Sequence, residues 1–213
     1  MKRQGIFITF EGGDGVGKTT LIQKIFDYLE KLKFDVLQTR APGGTEIGQE
    51  IRHLLLCKHD PLISKRSELL LFLADRAQHV DELILPHLRQ GKIVLCDRFN
   101  DSTIAYQGGA RGFKMEFVDQ LCNFASNHCK PDLTLYLDLD PKIGFKRAEK
   151  AGFVKDRIEL ETLQFHQKIR RAFKQIAKKE PRRFIIINAS KTPEEVYTQA
   201  KVKINALLQS YRK

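Results

Sequence analysis

Gly12-Gly13-Asp14-Gly15-Val16-Gly17-Lys18-Thr19 fits the phosphate-loop pattern G-x-x-x-x-G-K-[ST]. Its flanks fit as well. Ile6-Phe7-Ile8-Thr9-Phe10 precedes it as a short β-prone apolar run, and Leu21, Ile22, Ile25, Phe26 and Leu29 follow at helical spacing. A strand that ends in glycines and opens a helix can turn its backbone N–H groups around a phosphate and add the positive end of the helix. In such a loop Lys18 reaches the outer phosphates and the Thr19 hydroxyl is a Mg²⁺ ligand.

Working outward, four more apolar runs read as buried strands: Val36-Leu37 with its neighbours, Ile93–Cys96, Leu133–Leu137 and Phe184–Ile187. Helical patterns at about 18–32, 46–57, 67–90, 115–127, 141–150, 157–179 and 193–211 separate the five runs. Strands alternating with helices give an α/β fold, here a five-stranded parallel sheet with helices on both faces. The 213 residues hold no internal repeat and no linker-like boundary, so the expectation is one domain over 1–213.

No stretch approaches the ~18 consecutive apolar residues of a membrane span, and Met1–Gly5 resembles no secretory leader. Cys57, Cys96, Cys122 and Cys129 include no C-x-x-C pair and are expected to be reduced thiols in a cytoplasmic protein. The net charge of +11 suits nucleic acid or a small polyanion. Much of the excess lies in 165–183, where Ile169, Phe173, Ile176 and Ala177 form an apolar stripe and bases fill the rest. A solvated helix face is the preferred reading there, and a nucleic-acid surface the lesser one.

Ligands of a parallel sheet gather at the carboxyl ends of its strands. Those ends carry Glu11, Arg40, Asp97-Arg98, Asp138 and Asn188. Asp97, after four apolar residues, has the Walker B form and is a candidate Mg²⁺ ligand, with Arg98 a candidate phosphate ligand; a purely structural Asp–Arg pair is the other reading. Phe72 and Arg76 share a helix face, which suits stacking on and bonding to a nucleobase, although spacing alone favours Phe72 as core. Ser102–Gly112 reads as a loop, either lining a pocket or simply connecting elements. Residues 146–157, basic around Gly152, read as a lid over phosphates or as a surface turn. A guanine-reading Asn-Lys-x-Asp is absent, and Arg98 stands where motor ATPases carry Glu.

Taken together, Phe10–Thr20, Thr39-Arg40-x-Pro42-Gly43-Gly44-Thr45, Ile51-Arg52, Phe72-x-Ala74-x-Arg76-x-Gln78, Asp97-Arg98…Ser102-x-x-Ala105-Tyr106-Gln107-Gly108 and Asp156-Arg157-Ile158-Glu159 resemble the thymidylate kinases of the bacterial type, over nearly the whole chain. The resemblance implies a three-layer P-loop NTPase fold, a short lid at about 147–157, and the reaction ATP + dTMP → ADP + dTDP with Mg²⁺. It implies that Gly12, Gly13, Asp14, Gly15, Val16, Gly17, Lys18, Thr19 and Thr20 hold ATP, with Arg147 along the adenine. Asp14 is also expected at the 3′-hydroxyl of dTMP. Arg98, Arg52 and Arg40 are expected at its phosphate, Phe72 and Arg76 at thymine, Ser102 and Gln107 in the base pocket, and Tyr106 under the sugar. The family also implies a homodimer, with membrane no partner and nucleic acid an unlikely one. The alternatives are a kinase of another nucleoside monophosphate or a nucleic-acid-dependent ATPase.

Three positions depart from the family pattern. Ala41 replaces a common Glu, and Phe99 a common Tyr or His. Gly15 stands where eukaryotic relatives carry Arg, which assigns neutralisation of the transferred phosphoryl to the lid, with Arg157 or Lys150 the candidates and Lys155 nearby.

Overall fold

A computed structural model describes residues 5–57, 61–152 and 156–211. Its five strands are β1 (Ile6–Gly12), β2 (Val36–Arg40), β3 (Ile93–Asp97), β4 (Leu133–Asp138) and β5 (Phe184–Asn188). All pair in parallel, in the order β2-β3-β1-β4-β5. The helices are α1 (Lys18–Lys31), α2 (Glu46–Leu56), α3 (Lys65–His79), α4 (Leu85–Arg89), α5 (Asn100–Thr103), α6 (Met115–Ala125), α7 (Pro141–Lys150), α8 (Leu163–Lys179) and α9 (Pro193–Tyr211).

The strands are apolar on both faces because both faces are covered. Ile6, Ile8 and Phe10 of β1, Ile93 and Leu95 of β3 and Leu133, Leu135 and Leu137 of β4 pack against α1 and α9. The intervening residues point the other way. Phe7, Val94 and Cys96 meet Val80, Ile84 and Leu88, and Tyr136 stacks on Phe173 of α8 with ring centroids 4.6 Å apart. Each fully buried aliphatic or aromatic side chain contributes about 1.5–3 kcal/mol, so this two-sided core fixes the strand register that aligns the carboxyl ends.

Two helical stretches widen to π-turns. Val80–Ile84 joins α3 to α4, so the long helix expected over 67–90 is continuous to Arg89; it loosens just before Pro86, which has no N–H to give. Ile104–Ala110 extends α5, so the loop expected over 102–112 is mostly helix. Its glycines serve close packing. A Cβ on Gly108 would strike Met115, and one on Gly109 would strike Ala172 of α8.

The helix expected from 157 starts at Leu163, capped by Thr162, whose Oγ1 accepts from the Phe165 N–H at 3.2 Å. Before it, Asp156 Oδ1 accepts from the Ile158 and Glu159 N–H groups at 2.8 and 2.9 Å, closing a turn. The bases of α8 are partly spoken for: Arg170 and Lys174 pair with Asp138, and Lys179 with Glu116.

Candidate active site

The carboxyl ends of β1, β2 and β3 open into one cavity of about 640 Å³. Residues 13–20 form one end. Gly15 and Gly17 take left-handed φ values of 67° and 89°, which only glycine adopts at low cost. Lys18 Nζ lies 3.2 Å from the carbonyls of Gly12 and Gly13, curled across the loop it would serve. Burial, then the nearby Arg98 charge, lowers its pKa, while Asp97, Asp14 and Glu11 oppose that shift. Helix α7 seats directly on the loop, since a Cβ on Gly15 would run into the Gly144 carbonyl and one on Gly144 into that of Asp14.

The other end is lined by Arg40, Arg52, Phe72, Arg76, Arg98 and Asp97, with Ser102 from α5 and Tyr106 and Gln107 from its extension. Asp75 Oδ1 accepts from the Gly43 N–H at 2.8 Å and pins the 40–45 turn to α3. Arg52 donates to the Pro42 carbonyl at 2.9 Å. Arg98 has φ 69°, and its guanidinium donates to Ser102 Oγ at 3.2 Å and lies 3.5 Å from Asp14. It sits 5.3 Å from the centroid of the Tyr106 ring. Burial opposes the Arg98 charge, but Tyr106, Asp14, Asp97 and Glu11 more than compensate, and its pKa stays above the usual arginine range.

Beneath this wall Glu11 is fully buried and accepts from the Phe99 N–H at 2.8 Å and from Ser102 Oγ at 2.5 Å. Burial, then Asp101, pushes its pKa up to about 7. In the sequence Glu11 shows only as a polar residue at the end of β1, with nothing nearby to mark its burial.

Arg76 is 3% exposed, and its guanidinium lies 4.2 Å above the centroid of the Phe99 ring. Phe99 therefore replaces the expected hydrogen-bonding tip with a cation–π face. Arg76 Nε and Nη1 have no hydrogen-bond partner among the described residues, nor has Gln107 Oε1. Unpaired buried donors and acceptors are costly. Both residues belong to the cavity lining, although these particular atoms are themselves buried.

The lid residues divide. Arg147 lines the cavity and donates to the Ala189 carbonyl at 2.9 Å. Arg157 does not line it. Its guanidinium is held by the Leu55 carbonyl at 3.0 Å and by Glu68 at 2.5 Å, so the role expected for it as neutraliser is not met in this arrangement. Lys150 ends α7, exposed and outside the cavity lining, and Lys155 lies outside the described residues.

Asp97 Oδ1 is buried without a partner among the described residues, close to the Lys18 charge, and Thr19 opens from α1 into the cavity. A carboxylate and a hydroxyl beside a phosphate loop are hard oxygen donors that fit Mg²⁺.

A phosphate loop at one end of the cavity and an arginine-rich wall at the other are the marks of a P-loop phosphotransferase. The comparisons narrow that class. The model of the thymidylate kinase family matches residues 10–200, and the chain belongs to that family. It is 48% identical over 206 residues to a thymidylate kinase of Protochlamydia amoebophila, covering 93% of this chain and 92% of that one. It is 46% identical over 209 residues to one of Desulfovibrio desulfuricans, covering 95% and 96%. A crystal structure of thymidylate kinase from Ehrlichia chaffeensis superposes with a TM-score of 0.74 at 36% identity, covering 93% of this chain and 98% of that one.

Proposed function

We propose that this chain phosphorylates dTMP to dTDP with ATP. The observation that carries the reading is the pocket opposite the P-loop, lined by Phe72, Arg98, Arg52, Arg40 and an Arg76 that carries two unpaired buried donors. Thymine offers a flat ring to Phe72 and a carbonyl to Arg76. Arg98, Arg52 and Arg40 face the 5′-phosphate, and Tyr106 packs against the sugar. ATP binds along residues 12–20, with Arg147 beside the adenine.

The acceptor is a phosphate oxygen already ionised near neutral pH, so neither a covalent nucleophile nor a strong general base is required. Lys18 from the phosphate-loop end and Arg98 from the opposite end are close enough to feel each other's charge, and together they neutralise charge spread over the transferred group. Asp14, held by Arg98, orients the sugar side. Thr19 and Asp97 would hold Mg²⁺, which when bound screens the phosphate charges. The whole chain acts as one kinase domain; the lid expected at about 147–157, of which 153–155 lie outside the described residues, would exclude water from the phosphates.

Exposed Leu70 of α3 with Phe117 and Phe124 of α6 supports a homodimer through those helices. A cytoplasmic location suits the free cysteines, and no helix among the described residues is long and apolar enough to cross a membrane. The pairing of Arg170, Lys174 and Lys179 with carboxylates supports the solvated-face reading of α8.

The test is coupled ADP release from Mg-ATP with dTMP, dUMP, dCMP, dAMP, dGMP, UMP, AMP and single-stranded DNA. Strong release with dTMP and little with UMP is expected. Release stimulated only by DNA, or by none of them, overturns the reading, and preference for another monophosphate reassigns the base pocket.

A further inference from the structure

Glu68 of α3 is 2% exposed and lies outside the cavity lining. Three side chains converge on its carboxylate. Gln107 Nε2 donates to Oε1 at 3.0 Å, Arg111 donates to both oxygens at 2.8 and 3.1 Å, and Arg157 donates to Oε2 at 2.5 Å. Arg111 also pairs with Glu161.

Burial alone would favour the neutral acid, but the hydrogen bonds from Arg111, Gln107 and Arg157 outweigh it and hold the pKa below the usual glutamate range. An ionised carboxylate has acceptors and no donor. The Gln107 carboxamide can therefore meet it only with its NH₂. The other end of the same amide, Oε1, is left buried and without a partner among the described residues, in a side chain that is 1% exposed and borders the cavity.

We propose that Glu68 is a positioning residue for base choice, locking the Gln107 amide so that only its carbonyl oxygen faces the pyrimidine. The proposal rests on the dTMP reading above. An acceptor at that place matches the N3–H of thymine and opposes the N3 lone pair of cytosine. Arg76, all donor, matches the 4-carbonyl and opposes the 4-amino group. Arg76 needs no help to be a donor, because a guanidinium has no acceptor. A carboxamide presents either end, so its polarity has to be imposed from behind. The same carboxylate holds Arg157, which follows the proposed lid, so the base pocket and the lid border share one anchor.

The test compares kcat/KM for dTMP and dCMP in wild type, Glu68→Gln and Arg111→Ala, with thermal unfolding of each. In Glu68→Gln the new amide offers its oxygen to the arginines and its NH₂ to Gln107, which turns over and presents a donor to the base. The dTMP/dCMP ratio is expected to fall at least about tenfold, the scale of one buried polar mismatch. Arg111→Ala is expected to lower the melting temperature and leave the ratio within about twofold, because Glu68 still meets Gln107. An unchanged ratio in Glu68→Gln overturns the proposal, and so does an equal fall in Arg111→Ala. Should Glu68→Gln not fold, Glu68→Asp, whose carboxylate is one methylene short of Gln107, is read instead, and a ratio unchanged there also overturns it. Wild type that ignores dTMP overturns the functional reading, a result distinct from failure of the positioning role alone.

Discussion

Arg98 holds a left-handed backbone conformation that non-glycine residues rarely adopt, and the same turn lets its guanidinium reach back to Asp14 and Ser102. Its N–H bonds the Phe10 carbonyl at 3.0 Å, so the ladder between β1 and β3 braces the position. Lys18 depends on charge in a similar way. Replacing it with Met is expected to lower kcat by about 10²–10³-fold, the scale seen when one transition-state donor is lost, with the melting temperature little changed. Steady-state kinetics beside thermal unfolding check both halves. Phe99→Leu removes the ring under Arg76. A lost cation–π contact of about 0.5–2 kcal/mol corresponds to a fall of roughly 2–30-fold in kcat/KM for dTMP, with KM for ATP unchanged. Isothermal titration with each nucleotide separately would expose a wrong assignment. Phe72 shows the limit of reading single residues: helical spacing alone placed it in the core, the family resemblance moved it to the base, and its half-buried side chain borders the cavity.

At the scale of elements, the five strands were legible because their apolar runs are short, continuous and bounded by polar residues. The stretch 102–112 was not. Gly108 and Gly109 signal a turn to a reader of sequence, yet here they let a widened helix approach α6 and α8. Nothing local distinguishes a glycine that bends a chain from one that admits a neighbour. The Glu68–Arg111–Arg157 cluster was hidden for a related reason: its members are 43 to 89 positions apart in sequence. The start of α8 was misplaced because the Thr162 cap was passed over in favour of apolar spacing. The seat of α7 on the P-loop yields an element-scale prediction. Gly144→Ala drives a methyl into the Asp14 carbonyl. Overpacking of this kind costs about 1–3 kcal/mol, and the displaced loop is expected to raise KM for ATP more than KM for dTMP. Equal KM values in the variant and wild type would show that the contact does not shape the ATP site.

Across the whole molecule, two buried groups set opposite slopes of stability with pH. Glu11 has a folded pKa of about 7 against 4.5 in the unfolded chain. Its contribution is intact below 4.5 and is lost as pH rises through 7, by about 3 kcal/mol. His79, bonded to Thr39 at 2.8 Å, is pushed down to about 3 from 6.5 by burial and then by Arg76. Its contribution is intact above 6.5 and is lost as pH falls towards 3. Glu11→Gln removes the first slope. Urea unfolding at pH 5 and pH 8 is expected to show the variant gaining about 2–3 kcal/mol on wild type between the two; a constant difference would mean that Glu11 does not carry the slope. The sheet order has a consequence for how the protein is made. The strand that bears the phosphate loop is synthesised first and lies in the middle, and its neighbours β3 and β4 end only at Asp97 and Asp138. At about 5–20 residues per second on the ribosome, the loop's strand waits several seconds for its first partner and longer for its second. Throughout that wait its backbone edges stay unpaired, and the nascent chain has a nucleotide motif but no nucleotide site.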